Sequence, residues 1–158
     1  MLSSLGLIVG IGVVPFIFSQ RKASATAPNF TLNFLIPQDR AITLSDIVKE
    51  RPVLLVFWAT WCPSCTAEIP TLNTWYEKYH SQGLEILAVN VQEPRKRITE
   101  FVKKTPMNYP SLLDENGEVA ARYGLVGLPA AVFLARGGEI IYYGFGLPDN
   151  LDQLLAKN

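Results

Sequence analysis

A run of six apolar residues, Val53-Leu54-Leu55-Val56-Phe57-Trp58, places the tightest constraint on what this chain can fold into. The run does not alternate with polar residues. A strand with one face in water alternates, whereas a strand covered on both faces does not. Arg51-Pro52 bounds it on one side and the turn Ala59-Thr60-Trp61 on the other. A central strand buried on both faces is therefore expected here. A second buried strand is expected over residues 84–91. Between the two lies a helical pattern from Cys62 to about His80, with Ile69, Leu72, Trp75, Tyr76 and Tyr79 at helical spacing. Pro70 interrupts that pattern and is expected to kink it.

The remaining elements follow from punctuation and periodicity. A first strand is expected over 29–35, with Phe30, Leu32 and Phe34 on one face, then a turn at 37–40. A short helix begins at 43–46, with Thr43 or Ser45 as its cap. Residues 94–104 read as a helix with the stripe Ile98, Phe101 and Val102. Residues 111–114 read as extended, 119–123 as a short helix closed by Gly124, and 131–134 and 140–143 as a hairpin. Asp149 is expected to cap a last helix running to about Lys157. Strand–helix–strand–helix, followed by a hairpin and a closing helix, implies an α/β fold: a mixed sheet with helices on both faces.

Composition narrows the chemistry. Lys plus Arg and Asp plus Glu both number 14, so no strongly basic face for nucleic acid is implied. Only two cysteines are present, three positions apart. A disulfide-scaffolded secreted protein would spread several bridges along the chain. A structural zinc site would need further ligands, and the single histidine, His80, cannot complete one. The pair reads as chemical rather than structural, with no metal and no other cofactor expected.

The N-terminus differs from the rest. No charge occurs from Leu2 to Phe18, and Gln20, Arg21 and Lys22 follow. Those residues as a helix span roughly 25 Å, just short of a hydrocarbon core of ~30 Å. Two readings stay open for residues 1–20, a membrane anchor and a cleaved signal segment, the latter because Ala23-Ser24-Ala25 has the small-x-small form of a cleavage site. Arg21 and Lys22 follow the run instead of preceding it, which by the positive-inside rule alone would hold the domain in the cytoplasm. Residues 21–28 are expected to be a linker and 29–158 the folded domain.

Trp61-Cys62-Pro63-Ser64-Cys65 sits where the buried strand hands over to the helix. A helix N-terminus presents unpaired N–H groups and the positive end of the macrodipole, which stabilise a thiolate at Cys62. Pro63 in the first turn costs no hydrogen bond. Two intervening residues place the cysteines close enough to form a disulfide. Cys62 is expected to be the exposed attacker and Cys65 the shielded thiol that resolves the mixed disulfide. Glu68, one helical turn beyond Cys65, is a candidate proton acceptor for it; the alternative is an inert charge favourable to the helix dipole.

These residues resemble the thioredoxin superfamily, and within it the TlpA/ResA-like family of membrane-tethered extracytoplasmic thioredoxins. The matching stretches are Ala27-Pro28-Asn29-Phe30-Thr31-Leu32, Leu44-Ser45-Asp46, Val56 through Cys65, Glu68 with Pro70, and Gly127-Leu128-Pro129. The resemblance implies a thioredoxin-like fold and disulfide exchange outside the cytoplasm. It implies that Pro129 is a cis-proline facing the cysteines, and that Trp61, Pro63, Ser64 and Leu128 meet the substrate. The partners it implies are disulfide-bearing client proteins, apocytochrome c among them, and a membrane thiol-transfer protein as electron donor. Two departures stand out. No acid occurs in 53–57, where a cytoplasmic thioredoxin carries a buried Asp, and Ala130 follows Pro129 where the family often has Thr.

Two other functions fit the fold class. A peroxidase shares the Pro-x-Phe-x-Leu opening but needs a Pro-x-x-x-Thr/Ser-x-x-Cys context, which is lacking. A copper-delivery factor usually places three residues between its cysteines and adds a metal-binding His. Arg95-Lys96-Arg97 reads as a solvated helix face in preference to a docking patch.

Overall fold

The computed structural model describes residues 25–158; the apolar run at 2–18 lies outside the described residues. Val53–Trp58 forms β3 and is buried at every position. Glu85–Val91 forms β4, parallel to β3 in the register Val53↔Glu85 through Trp58↔Asn90. Helix α2, Pro63–Tyr79, makes the crossover between them. Its buried residues, Cys65, Ile69, Leu72 and Tyr79, recur every three or four positions, which is one face of a helix. Pro70 lies inside α2, and the helix runs on to Tyr79.

Among the described residues the sheet has seven strands, in the order β2 (Ala41–Thr43), β1 (Thr31–Phe34), β5 (Ser111–Asp114), β4, β3, β6 (Ala130–Leu134) and β7 (Ile140–Gly144). Strand β5 is parallel to β4. Strand β6 is antiparallel to β3, and β7 is antiparallel to β6. Strand β1 is antiparallel to β5. Its outer neighbour is β2, which the sequence does not reveal because three residues carry no readable period. The mixed sheet with a core on each face confirms the expected class. One core holds Leu54, Val56, Trp58, Leu72 and Ile98, with Phe101 and Val102 of α3 (Arg95–Lys104) packed against it. The other holds Phe30, Leu55, Phe57 and Val89, with Leu32 and Phe34 against it, as their common face requires.

α1, Leu44–Glu50, has Thr43 at its N-cap, as expected, but without a side-chain bond. Its first turn is capped from a distance, the Ser45 amide donating to Asn29 Oδ1 at 2.9 Å. The last helix, α5 (Leu151–Leu155), has Asn150 at its N-cap in place of Asp149, again without a side-chain bond. Arg95 is half-buried: its Nη1 donates to the carbonyls of Phe34 and Leu35 at 2.9 and 2.6 Å, tying α3 to the end of β1. Of the expected linker, Ala25 and Ala27 are pinned by backbone bonds to Ile140 and Gly138 across the β6–β7 turn.

The buried Asp114 serves α4, Glu118–Arg122: its two oxygens accept from the amides of Val119 and Ala120 at 3.1 and 2.9 Å. Removing an acceptor from buried donors costs about 1–3 kcal/mol. Asp114→Ala is expected to lower the unfolding free energy by that amount, read by urea denaturation, with thiol chemistry retained.

Candidate active site

The turn out of β3 closes on itself: the Cys62 amide donates to the Ala59 carbonyl at 3.2 Å. This places Cys62 at the N-cap of α2 in extended backbone, with Pro63 in the first turn. Cys62 Sγ accepts from the Cys65 amide at 3.3 Å, so the sulfur occupies the site where a capping oxygen would sit. Cys62 and Cys65 are joined in a disulfide with 5.3 Å between their Cα atoms. In this oxidised state the two do not differ in exposure, at 4% and 3%, contrary to the expected contrast. Cys62 is buried in the turn that this bond closes, and Trp61, 64% exposed, takes the outward position. Pro63 and Ser64 are exposed beside it.

The Leu128–Pro129 peptide is cis. The register Phe57↔Ala130 puts Pro129 just beyond the end of β3, the end from which Cys62 departs. Leu128 and Trp61 line one groove of about 500 Å³, together with Val91, Gln92, Ala121 and Leu125. The structure thus gathers Trp61, Leu128 and Pro129 at the motif's end of the sheet.

Glu68 is half-buried on α2 and turned toward residues 146–147. Its Oε1 accepts from the Leu147 amide at 3.2 Å, and its Oε2 is buried without a partner. Gly146 makes the close approach possible: at φ +74° it carries no Cβ, and one placed there would lie 3.0 Å from Glu68 Oε1. Burial raises the Glu68 carboxyl above its ordinary value, the Leu147 hydrogen bond partly opposing it. The Tyr109 phenol is raised as well, by burial first and by Glu68 second.

A buried acid near the motif does exist, though not on β3. Glu93, after the end of β4, is 3% exposed and accepts from the Thr60 amide and from Asn90 Nδ2 at 2.7 and 2.8 Å. The sequence signal for it was Asn90, a polar residue inside an apolar run whose burial demands a partner. Among the described residues, no group of three or more His, Cys, Asp or Glu could hold a metal ion.

A mixed sheet of this order, with a disulfide across the first turn of the crossover helix and a cis-proline loop at the same end, defines a thioredoxin-fold thiol–disulfide oxidoreductase. Residues 23–143 match the AhpC/TSA family model, and the chain belongs to that family. It is also 36% identical to the thiol-disulfide oxidoreductase ResA of Bacillus thuringiensis over 133 residues, covering 83% of this chain and 75% of that one. ResA of Bacillus subtilis is 36% identical over 115 residues, covering 73% and 63%. The ResA thiol-disulfide oxidoreductases are the branch in which the chain falls. Among solved structures, a protein of Chlorobium tepidum assigned as the thiol:disulfide interchange protein DsbE superposes with a TM-score of 0.76 at 26% identity, over 85% of this chain and 95% of that one. StoA of Bacillus subtilis, at 23% identity, shares the fold with a TM-score of 0.69 over 85% and 99%.

The raised Glu68 carboxyl has a consequence for stability. A folded-state pKa above the unfolded one favours the folded protein below the unfolded value near 4.5, and that advantage is lost as pH rises through the folded value. Glu68→Gln keeps an acceptor for Leu147 and cannot ionise. Its stability relative to the wild type is expected to rise from pH 4 to pH 8, read by thermal unfolding at each pH; a constant difference would contradict the assignment.

Proposed function

We propose that this oxidoreductase works outside the cytoplasm as a reductant of disulfides in exported proteins, apocytochrome c among its clients. The observation that carries this reading is the Cys62–Cys65 disulfide at the N-terminus of α2, with Cys62 Sγ as the capping acceptor. The Cys62 thiolate attacks a client disulfide, forming a mixed disulfide and expelling one client thiolate. The Cys65 thiolate then attacks Cys62 Sγ, releasing the second client sulfur and closing the Cys62–Cys65 bond. Two electrons and two protons pass to the client. A membrane thiol-transfer protein, itself a dithiol, returns them.

Trp61, Pro63, Ser64 and Leu128 form the surface a client meets, and the backbone at Pro129 offers an edge on which its strand can pair. Glu68 takes the proton from Cys65 as Cys65 attacks. Its partnerless Oε2 and its raised pKa support this role. The uncharged run from Leu2 to Phe18 supports a membrane anchor or export segment over residues 1–20, with 21–28 leading into the domain. Among the described residues, no helix is long and apolar enough to cross a membrane.

Two measurements test the proposal. Cys65→Ser is expected to accumulate mixed disulfides with clients and Cys62→Ser not; equal trapping by both would reverse or void the assignment. Protease added to intact cells is expected to reach the domain. Protection of it would assign the cytoplasmic orientation that Arg21 and Lys22 alone suggest, and would end the exported-client reading.

A further inference from the structure

We propose that Glu93 is a positioning residue for the exchange reaction, clamping the turn that sets Cys62 at the N-cap of α2. The inference rests on Cys62 being the attacking thiol. A carboxylate is costly to bury unless its lone pairs are used, and those of Glu93 are. Oε2 accepts the Thr60 amide at 2.7 Å and Asn90 Nδ2 at 2.8 Å, and Oε1 accepts the Thr60 hydroxyl at 2.5 Å. Arg97 Nη1, on an exposed side chain, stands 3.9 Å from Oε1.

Two of the three donors belong to Thr60, two residues before Cys62. The turn is closed from within by the Cys62 amide on the Ala59 carbonyl, so the Thr60 amide needs an acceptor from outside it. Glu93 supplies that acceptor from the loop that follows β4, the strand paired with β3, whose Asn90 lies opposite Trp58. Asn90 in turn holds the carboxylate. The turn is thereby fixed to the rigid sheet on both sides, and Cys62 Sγ is held where the Cys65 amide and the helix end stabilise its thiolate.

Charge and position predict opposite signs. A nearby anion opposes a thiolate, so removing Glu93 for its charge alone would lower the Cys62 pKa. Loosening the clamp withdraws the helix N–H groups and raises it. Gln can preserve the clamp without the charge. Its oxygen accepts from the Thr60 amide and Asn90 while its Nε2 donates to the Thr60 hydroxyl, which can accept as well as donate.

The test follows alkylation of reduced full-length protein by iodoacetamide against pH, with exchange on glutathione disulfide at pH 7. Glu93→Ala is expected to raise the Cys62 titration midpoint by about one unit and to slow exchange about tenfold. Glu93→Gln is expected to stay within about twofold of the wild type. Thr60→Val, which keeps the amide and loses the hydroxyl, is expected to shift the midpoint upward by less. A folded Glu93→Ala with an unmoved or lowered midpoint, or Glu93→Gln matching Glu93→Ala, overturns the clamp. If Glu93→Ala shows no cooperative unfolding transition, Thr60→Val decides, and an unmoved profile there overturns it. The wild type tests the underlying reading separately: an unreactive Cys62 in it would overturn the order of attack, whereas a reactive Cys62 with unmoved variants overturns only the clamp.

Discussion

The burial of β3 on both faces organises everything else in the domain. Burying a large apolar side chain contributes roughly 1.5–3 kcal/mol, so six in one strand rival the 5–15 kcal/mol by which a whole domain is stable. Burial on both faces requires layers on both sides, and α2 and α3 supply one of them. It also requires a hydrogen-bonded neighbour on each edge, and β4 and β6 supply those. Because β3 ends at Trp58, its neighbours deliver their own ends to the same place: Asn90 opposite Trp58, and Ala130 opposite Phe57. The motif, the cis-proline loop and the Glu93 loop converge for that reason. None of the three reaches the others through the chain.

Three carboxylates of the domain owe their different parts to their surroundings. Asp114 gives both oxygens to the Val119 and Ala120 amides in the first turn of α4. Glu93 is saturated with donors and held by the sheet. Glu68 has one oxygen on a backbone amide and the other buried with none. A carboxylate whose oxygens are taken up by donors from one turn or one helix end is suited to holding that segment in place. Glu68, desolvated with a single hydrogen bond against that burial, is held above its ordinary pKa.

Four of the exposed large apolar side chains lie along two adjoining hollows, one of them bordered by Trp61 of the motif. Trp61 and Val126, the latter 88% exposed, are large apolar side chains open to solvent, as are Tyr143 and Phe145. Trp61 borders the groove that Leu125 and Leu128 also line, and Val126, Tyr143 and Phe145 line a smaller hollow sharing Leu125 and Gly127 with it. Exposed apolar side chains gathered in this way suit contact with a client chain.

The sequence by itself determined the strands that are buried on both faces, the helix that begins at Cys62 and the chemistry of two thiols on its first turn. Those features are written in local periodicity and in residue type at fixed spacing, and the bounds of β3 and β5 were legible to the residue. Resemblance added the cis bond before Pro129, which no composition would indicate. Only the tertiary structure decided which groups cap the helices, because Asn29 reaches α1 from 16 positions upstream of Ser45 and Asp114 reaches α4 from across a turn. It also decided that β2 pairs with β1, that Arg95 faces β1 in place of solvent, and that the buried acid beside the motif is Glu93, 33 positions from Thr60. A buried polar group takes whatever partner the packed sheet brings near it, and that proximity is set by strand order and register, which exist only once the chain has closed around β3.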